Sequence, residues 1–326
     1  MPIFTKECTK MHNRVFAALV LALVGTGSLS GQVIVSDWGG RLQNYDPNGN
    51  STTTINGTLA QPTGMVYGPD GFLYVSDIGT NTVNKYNATT GAFVSTVLSS
   101  AQLGSGFEPT GLAFAPGGDL LVSKQASFPT ATPGTGGVYR YNFGTMALTP
   151  MITNLTQGEG LLMVGSNLYI AELNNYSGRV LKYDFVNAPT TFIANGQGGL
   201  GAATSMAIGP DGQMYVSDIL GMAILRYQVN NPNVSSTFAS GTGFNSPTGV
   251  AFYGGHMFVS NFGSGSAPDG FMSEFDWTTG AFQANVVNGL FAGSAVVTVP
   301  EPASFVLIGL PAGMFVVRRI RRKSNQ

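Results

Sequence analysis

The 326-residue chain is poor in cysteine, histidine and charge, and each shortage removes a class of protein. Its one cysteine, Cys8, falls in an N-terminal segment that reads as a removable leader, so the exported chain forms no disulfide and no thiolate metal site. Stability has to come from packing. Beyond the leader one histidine is left, His256, and "YGGHMF" puts it in a turn where no Ser-His-Asp set assembles. Only 10% of residues are charged. Between Gly31 and Pro302 the bases are Arg41, Lys85, Lys124, Arg140, Arg179, Lys182 and Arg226, seven against fifteen acids, a net charge of −8. Such a surface repels nucleic acid and anionic lipid and attracts divalent cations weakly. The glycine-rich stretches "GSGSAPDG" and "GQGGLG" lack the spacing and the lysine of a phosphate-binding loop.

Glycine, by contrast, is abundant at 45 residues, and Val, Thr, Asn, Ser and aromatics crowd the middle of the chain. That composition suits many short strands joined by tight turns, hence an all-β protein.

Both ends read as addresses. Lys6, Lys10 and Arg14 precede an apolar run from Val15 to Val24 and then small residues, the plan of a secretory signal peptide over residues 1–30. Met11 is a second candidate start, and a retained signal anchor is the alternative. At the other end, Ala303 to Val317 form a mostly apolar run long enough for about 22 Å of helix, against roughly 30 Å of hydrocarbon. Arg318, Arg319, Arg321, Arg322 and Lys323 follow, a cluster that stays on the cytoplasmic side and leaves the bulk of the chain facing outward.

The order Pro300-Glu301-Pro302, short hydrophobic helix and arginine cluster resembles the PEP-CTERM sorting signal of Gram-negative, exopolysaccharide-producing bacteria. The resemblance covers residues 300–326. It implies export, an inner-membrane intermediate held by the C-terminal helix, recognition and cutting by an exosortase near the Pro-Glu-Pro, and release to the cell surface or matrix. A permanent single-span anchor is the alternative.

Between these ends one phrase recurs. "GPDGFLYVSD" ends at Asp77 and "GPDGQMYVSD" at Asp218, and the same ending falls at Asp37, Lys124, Glu172 and Asn261, in steps of 40, 47, 48, 46 and 43 residues. Steps of this length are those of propeller blades. An aromatic closes the strand after each: Tyr45, Tyr86, Tyr141, Tyr183, Tyr227 and Phe275. Within a unit, "PTGMVYGPDGFLYVSD" reads as two strands joined by a Pro-Asp-Gly turn. The Tyr-bearing strand and an outer Thr/Val-rich strand complete four. The first unit lacks its first strand, and "AGSAVVTV" is left over after the sixth. The expected fold is therefore a six-bladed β-propeller over residues 31–299, closed by the C-terminal strand joining the N-terminal blade.

The phrase pattern is similar to that of NHL-repeat propellers and, more distantly, of the gluconolactonase family. Propellers carry binding, lyase, lactonase and scaffold roles alike, so the fold leaves function open. The row Asp37, Asp77, Lys124, Glu172, Asp218, Asn261 is expected to ring one mouth of the channel. Its acids either hold a hard cation such as calcium or, in the architectural reading, bond backbone N–H groups in the next turn. Gluconolactonase-like enzymes hold their metal where the innermost strands start. Here the matching positions are Thr63, Thr110, Glu159, Thr204 and Thr248, of which Glu159 alone keeps a carboxylate, with Glu108 nearby. Trp38 either stacks on a sugar ring or packs under a neighbouring loop. The expected function is binding or structural association in the exopolysaccharide layer, with exopolysaccharide or other surface proteins as partners and without cofactor or catalysis. A metal-dependent lactonase or hydrolase using the channel mouth is the rival.

Overall fold

The computed structural model of the protein describes residues 33–46, 49–55, 59–126 and 132–298. The expected leader, the Pro300-Glu301-Pro302 motif, the expected C-terminal helix and the arginine cluster lie outside them. Among the described residues no helix is long and apolar enough to cross a membrane.

Six sheets of four antiparallel strands make the propeller. From inside outward, blade 2 is Pro62–Tyr67, Leu73–Asp77, Thr82–Tyr86 and Phe93–Leu98. Blades 3 to 6 repeat that order from inner strands Pro109–Phe114, Gly158–Val164, Ala203–Ile208 and Pro247–Tyr253. Blade 1 is assembled from both ends of the described chain. Its inner strand is Gly293–Thr298, which pairs with Val33–Asp37 so that Val33 lies opposite Thr298 and Val35 opposite Val296. Arg41–Tyr45 and Ser51–Thr54 complete that sheet. The Gly293–Thr298 strand also lies beside the inner strands of blades 6 and 2.

The Pro-Asp-Gly hairpins form as their chemistry dictates. Gly71 and Gly212 take φ of +79° and +74°, which the turn needs and side chains resist. The Asp of each turn then accepts from the Tyr of the following strand, Tyr74 to Asp70 at 2.9 Å and Tyr215 to Asp211 at 3.0 Å. Lys85 adds an ion pair to Asp70 at 2.6 Å.

Apolar packing lies between blades. Six clusters of buried residues each join two neighbours: Ile34 and Leu42 of blade 1 meet Leu73 and Val75 of blade 2, and Val33 and Val35 meet Ala251 and Phe258 of blade 6. The closing aromatics Tyr86, Tyr141, Tyr227 and Phe275 are buried in these clusters. A blade therefore has no core of its own and depends on both neighbours.

Each inner strand starts with a bulge, for the ladder shifts between Pro62 and Met65, Pro109 and Leu112, Gly158 and Leu161, Ala203 and Ser205, and Pro247 and Gly249. At these bulges adjacent blades come so close that a Cβ on Gly64 would collide with the Thr110 carbonyl oxygen, and one on Gly111 with that of Glu159.

Deleting residues 292–298 should remove one wall from two inter-blade clusters. We expect loss of cooperative unfolding and of several kcal/mol of stability, read by thermal denaturation. Gly111→Ala, which forces neighbouring backbones apart, should cost about 1–3 kcal/mol in the same assay.

Candidate functional site

The residues that end the second strands act on the backbone. Asp37, Asp77, Glu172, Asp218 and Asn261 are fully buried. Each reaches back to the segment that leads into the inner strand of its own blade. Asp77 accepts from the N–H groups of Ala60 and Gln61, both at 2.8 Å, and from Gly79 N at 3.0 Å and Thr80 Oγ1 at 2.8 Å. Asp218 accepts from Gly201 N at 2.9 Å and Ala202 N at 2.8 Å. Glu172 takes Thr156 N at 2.7 Å and Arg179 Nε at 2.6 Å. Asn261 Oδ1 takes Asn245 N at 2.9 Å. Asp37 takes Phe291 N at 3.2 Å, across 254 residues of sequence, and Arg41 Nε at 2.7 Å. Buried carboxylates supplied with two to four donors in this way are charge-assisted latches. Lys124 cannot accept, and in blade 3 the backbone bond from Gln125 N to Glu108 O at 3.1 Å spans the same gap. Asp37, Asp77, Glu172, Asp218 and Asn261 are thus each directed into a loop of their own blade. Among the described residues, no three of His, Cys, Asp and Glu come together to hold a metal ion.

One step nearer the axis lies a ring of hydroxyls. At the bulge of five of the six inner strands a Thr or Ser donates to the first carbonyl of the next inner strand. Thr63 bonds Pro109 O at 2.9 Å, Thr110 bonds Gly158 O at 2.6 Å, Thr204 bonds Pro247 O at 3.2 Å, Thr248 bonds Gly293 O at 2.7 Å and Ser294 bonds Pro62 O at 2.5 Å. Serines of the second strands reinforce it: Ser123 Oγ lies 2.9 Å from Thr110 Oγ1, and Ser36 Oγ lies 2.9 Å from Ser294 Oγ. Blade 4 breaks the pattern, with Glu159 in the Thr position and Ala171 in the Ser position.

The inner strands enclose a cavity of about 410 Å³ around the axis. Its wall is mainly apolar, with Met65, Val66, Leu112, Leu161, Leu162, Met206, Ile208, Val250, Phe252 and Val297. The lining also includes residues that immediately follow the ends of the second strands: Trp38, Gln125, Leu173, Ile219 and Phe262. Trp38 and Phe262 meet edge to face with ring centres 4.8 Å apart. That contact settles where Trp38 packs, while its half-buried ring still lines the cavity. His256 is remote from this site and pairs with Glu274 at 2.5 Å.

Among the described residues that line the cavity, Glu159 is the only acid or base. Gln125 Nε2 donates to its Oε1 at 2.5 Å. Part of the Glu159 side chain opens to the channel, but protein surrounds it so closely that burial pushes its carboxyl up to about 8. The Gln125 bond opposes that rise and the Glu108 charge adds to it. At neutral pH the channel therefore holds a neutral carboxylic acid. Sequence reasoning picked out Glu159 by its place in the threonine column. It missed Gln125, Phe262, Leu173 and Ile219. The signal was there, because the residue after each latch forms an apolar column that Gln125 alone interrupts. Ser294 was missed as the fifth hydroxyl because serine replaces threonine there.

No family model matches the sequence, and no curated protein matches it. Solved structures are similar in fold. A nidogen/laminin complex contains a chain matching with TM-score 0.66 at 11% identity, over 83% of this chain and 99% of that one. A luciferin-regenerating enzyme matches with TM-score 0.58 at 14% identity, over 82% of this chain and 92% of that one. A putative gluconolactonase matches with TM-score 0.56 at 13% identity, over 74% and 82%. At such identities the likeness shows the fold alone, a six-bladed propeller.

Two predictions follow from the latches and the broken ring. Asp77→Ala strands several buried N–H groups and should cost about 2–4 kcal/mol in chemical denaturation, while Asp77→Asn, which still accepts, should cost about half as much. Calcium should leave the melting temperature unchanged in both. The second concerns pH. Glu159 holds its proton to about 8 when folded and loses it near the ordinary 4.5 when unfolded, so the folded state binds more protons between these values. Stability is then fully present below pH 4.5 and falls as pH rises toward 8. Glu159→Gln should abolish that slope and gain on the wild type by a few kcal/mol, as an order of magnitude, between pH 5 and 8 in paired melts.

Proposed function

We propose that the protein is an exported propeller, sorted to the bacterial surface, that works by binding or structural association in the exopolysaccharide layer and carries out no catalytic step. The observation that supports this best is the use made of the mouth acids. Asp37, Asp77, Glu172 and Asp218 give their oxygens to backbone N–H groups, and none is left to build a reaction centre. The gluconolactonase-like alternative needs several hard oxygen ligands where the inner strands start. Calcium takes six to eight such ligands. Here that level offers hydroxyls already donating to carbonyls, one neutral carboxyl and one amide. The donor set does not fit a resident cation, and no step through one is derived.

Sorting rests on the order Pro300-Glu301-Pro302, apolar run, Arg318, Arg319, Arg321 and Arg322 behind a signal peptide at residues 1–30. Exosortase and the export machinery would be its processing partners, and the C-terminal helix its temporary hold on the membrane. In the same reading, the ring is closed by the strand Gly293–Thr298, so a cut near Pro302 releases an intact propeller.

Replacing Glu301, or deleting residues 318–323, should trap the protein at the inner membrane, as followed by fractionation and surface labelling. Normal arrival at the surface would sink the sorting reading. The non-catalytic reading is tested by a panel of lactones and esters, where turnover abolished by a chelator would overturn it.

A further inference from the structure

We propose that the central channel binds an uncharged, mainly apolar small molecule whose single polar head, a primary amide or a similar donor–acceptor group, docks on the Gln125–Glu159 pair. This inference rests on the binding reading above and names the ligand class.

Three observations converge on it. The cavity of about 410 Å³ has the size of a small-molecule site and an apolar wall. Five of the seven hydroxyls on its lining residues are already committed: Thr63, Thr110, Thr204, Thr248 and Ser294 donate to carbonyls of the next blade, which leaves Ser205 and Thr298, fewer donors than a sugar or a phosphate would need. Finally, Gln125 is only 5% exposed and its Oε1 is one of seven buried polar atoms among the described residues that find no hydrogen-bond partner, and the only acceptor of the seven on a residue that lines the cavity. A ligand N–H or O–H toward which this amide turns would supply the missing bond.

Glu159 completes the recognition. The neutral acid keeps an O–H to give to a ligand carbonyl, so acid and amide side by side present one donor and one acceptor. That pair is the complement of a primary amide. A carboxylate head would enter an apolar channel with no cation to meet it. The one charged group acting on Glu159 is the acid Glu108, in the loop before blade 3. The nearby Lys124 ammonium lies over the Phe107 ring at 6.0 Å, and Glu172 is engaged by Arg179. Ionisation of Glu159, which burial delays to about pH 8, removes the donor and places a charge beside the ligand.

The channel carries its own reporter, for Trp38 in its lining is one of two tryptophans in the chain. In the full chain carrying Trp277→Phe, Trp38 emission is followed while 4-tert-butylbenzamide or 4-tert-butylbenzoate is added. We expect saturable binding of the amide at pH 6.5, at least ten-fold tighter than that of the carboxylate, and about ten-fold weakening of the amide by pH 9.5. Glu159→Gln should bind the amide with no pH dependence. Gln125→Leu should lose about ten-fold in affinity while keeping a cooperative melt. No saturable response to the amide, equal or tighter binding of the carboxylate, or wild-type affinity that ignores pH overturns the inference. A silent channel in a protein that reaches the surface and turns over no lactone or ester overturns this inference alone. Chelator-sensitive turnover overturns the non-catalytic reading whatever the amide does.

Discussion

Everything in this propeller depends on how its inner strands satisfy the backbone at their bulges. A bulge interrupts the ladder and leaves polar backbone groups in need of partners. Six such interruptions face one another around the axis, where an unmade bond is expensive. The chain answers with a hydroxyl at the bulge that bonds the next strand's carbonyl, and with glycine where a Cβ would prevent the approach. Because each bond joins one blade to the next, the ring is tied at its centre as well as through the six clusters between blades. The mouth acids serve the same end one turn outward, holding the segment that delivers each inner strand to its bulge.

The departure in blade 4 acquires meaning against that regularity. Where the other blades place a hydroxyl on the bulge, blade 4 has Glu159, and the serine that would support it is Ala171. Glu159 makes no bond to the Ala203 carbonyl of the kind its counterparts make, and it spends its oxygen on Gln125 instead. In blade 5 the Ser217 hydroxyl is buried without a partner. A carboxyl held neutral by burial, an amide oxygen left without a donor and a missing stitch occur together in one sector of the ring. Local violations of a rule that the rest of the molecule obeys are where function is to be sought.

Much of this was legible in the sequence. The repeated V-S-D and Pro-Asp-Gly phrases gave blade count and strand order, because turn chemistry and the two-residue alternation of a strand are local properties. The left-over strand at 293–298 was recognisable for the same reason. The direction of the mouth carboxylates was not. Whether Asp77 looks into the channel or back toward Ala60 and Gln61 depends on the path of a loop sixteen residues upstream, and spacing carries no record of it. Gln125 was hidden for a related reason. An amide after a lysine at a strand end has no meaning until the fold brings it within 2.5 Å of Glu159, 34 positions away. Trp38 was read as either a sugar platform or a packed ring, and only its contact with Phe262, 224 residues on, decides.

The surface and the channel also make opposite demands, and the sequence meets them separately. A net charge of −8 between Gly31 and Pro302 keeps the molecule dispersed, yet all seven basic residues of that stretch are engaged close to home. Arg41, Lys85, Arg140, Arg179 and Arg226 face acids of their own blades, and Lys124 and Lys182 lie over the rings of Phe107 and Tyr169. None is available inside the channel to neutralise a bound anion. The excess acids, Asp184, Asp269 and Asp276 among them, sit on exposed turns where they accept bonds from neighbouring N–H groups. An anionic molecule thus meets unfavourable potential outside and no cation within, whereas a neutral one crosses the same field without penalty. The distribution of charge over the molecule therefore selects for the class of ligand that the unpartnered amide oxygen of Gln125 and the neutral acid of Glu159 are equipped to hold.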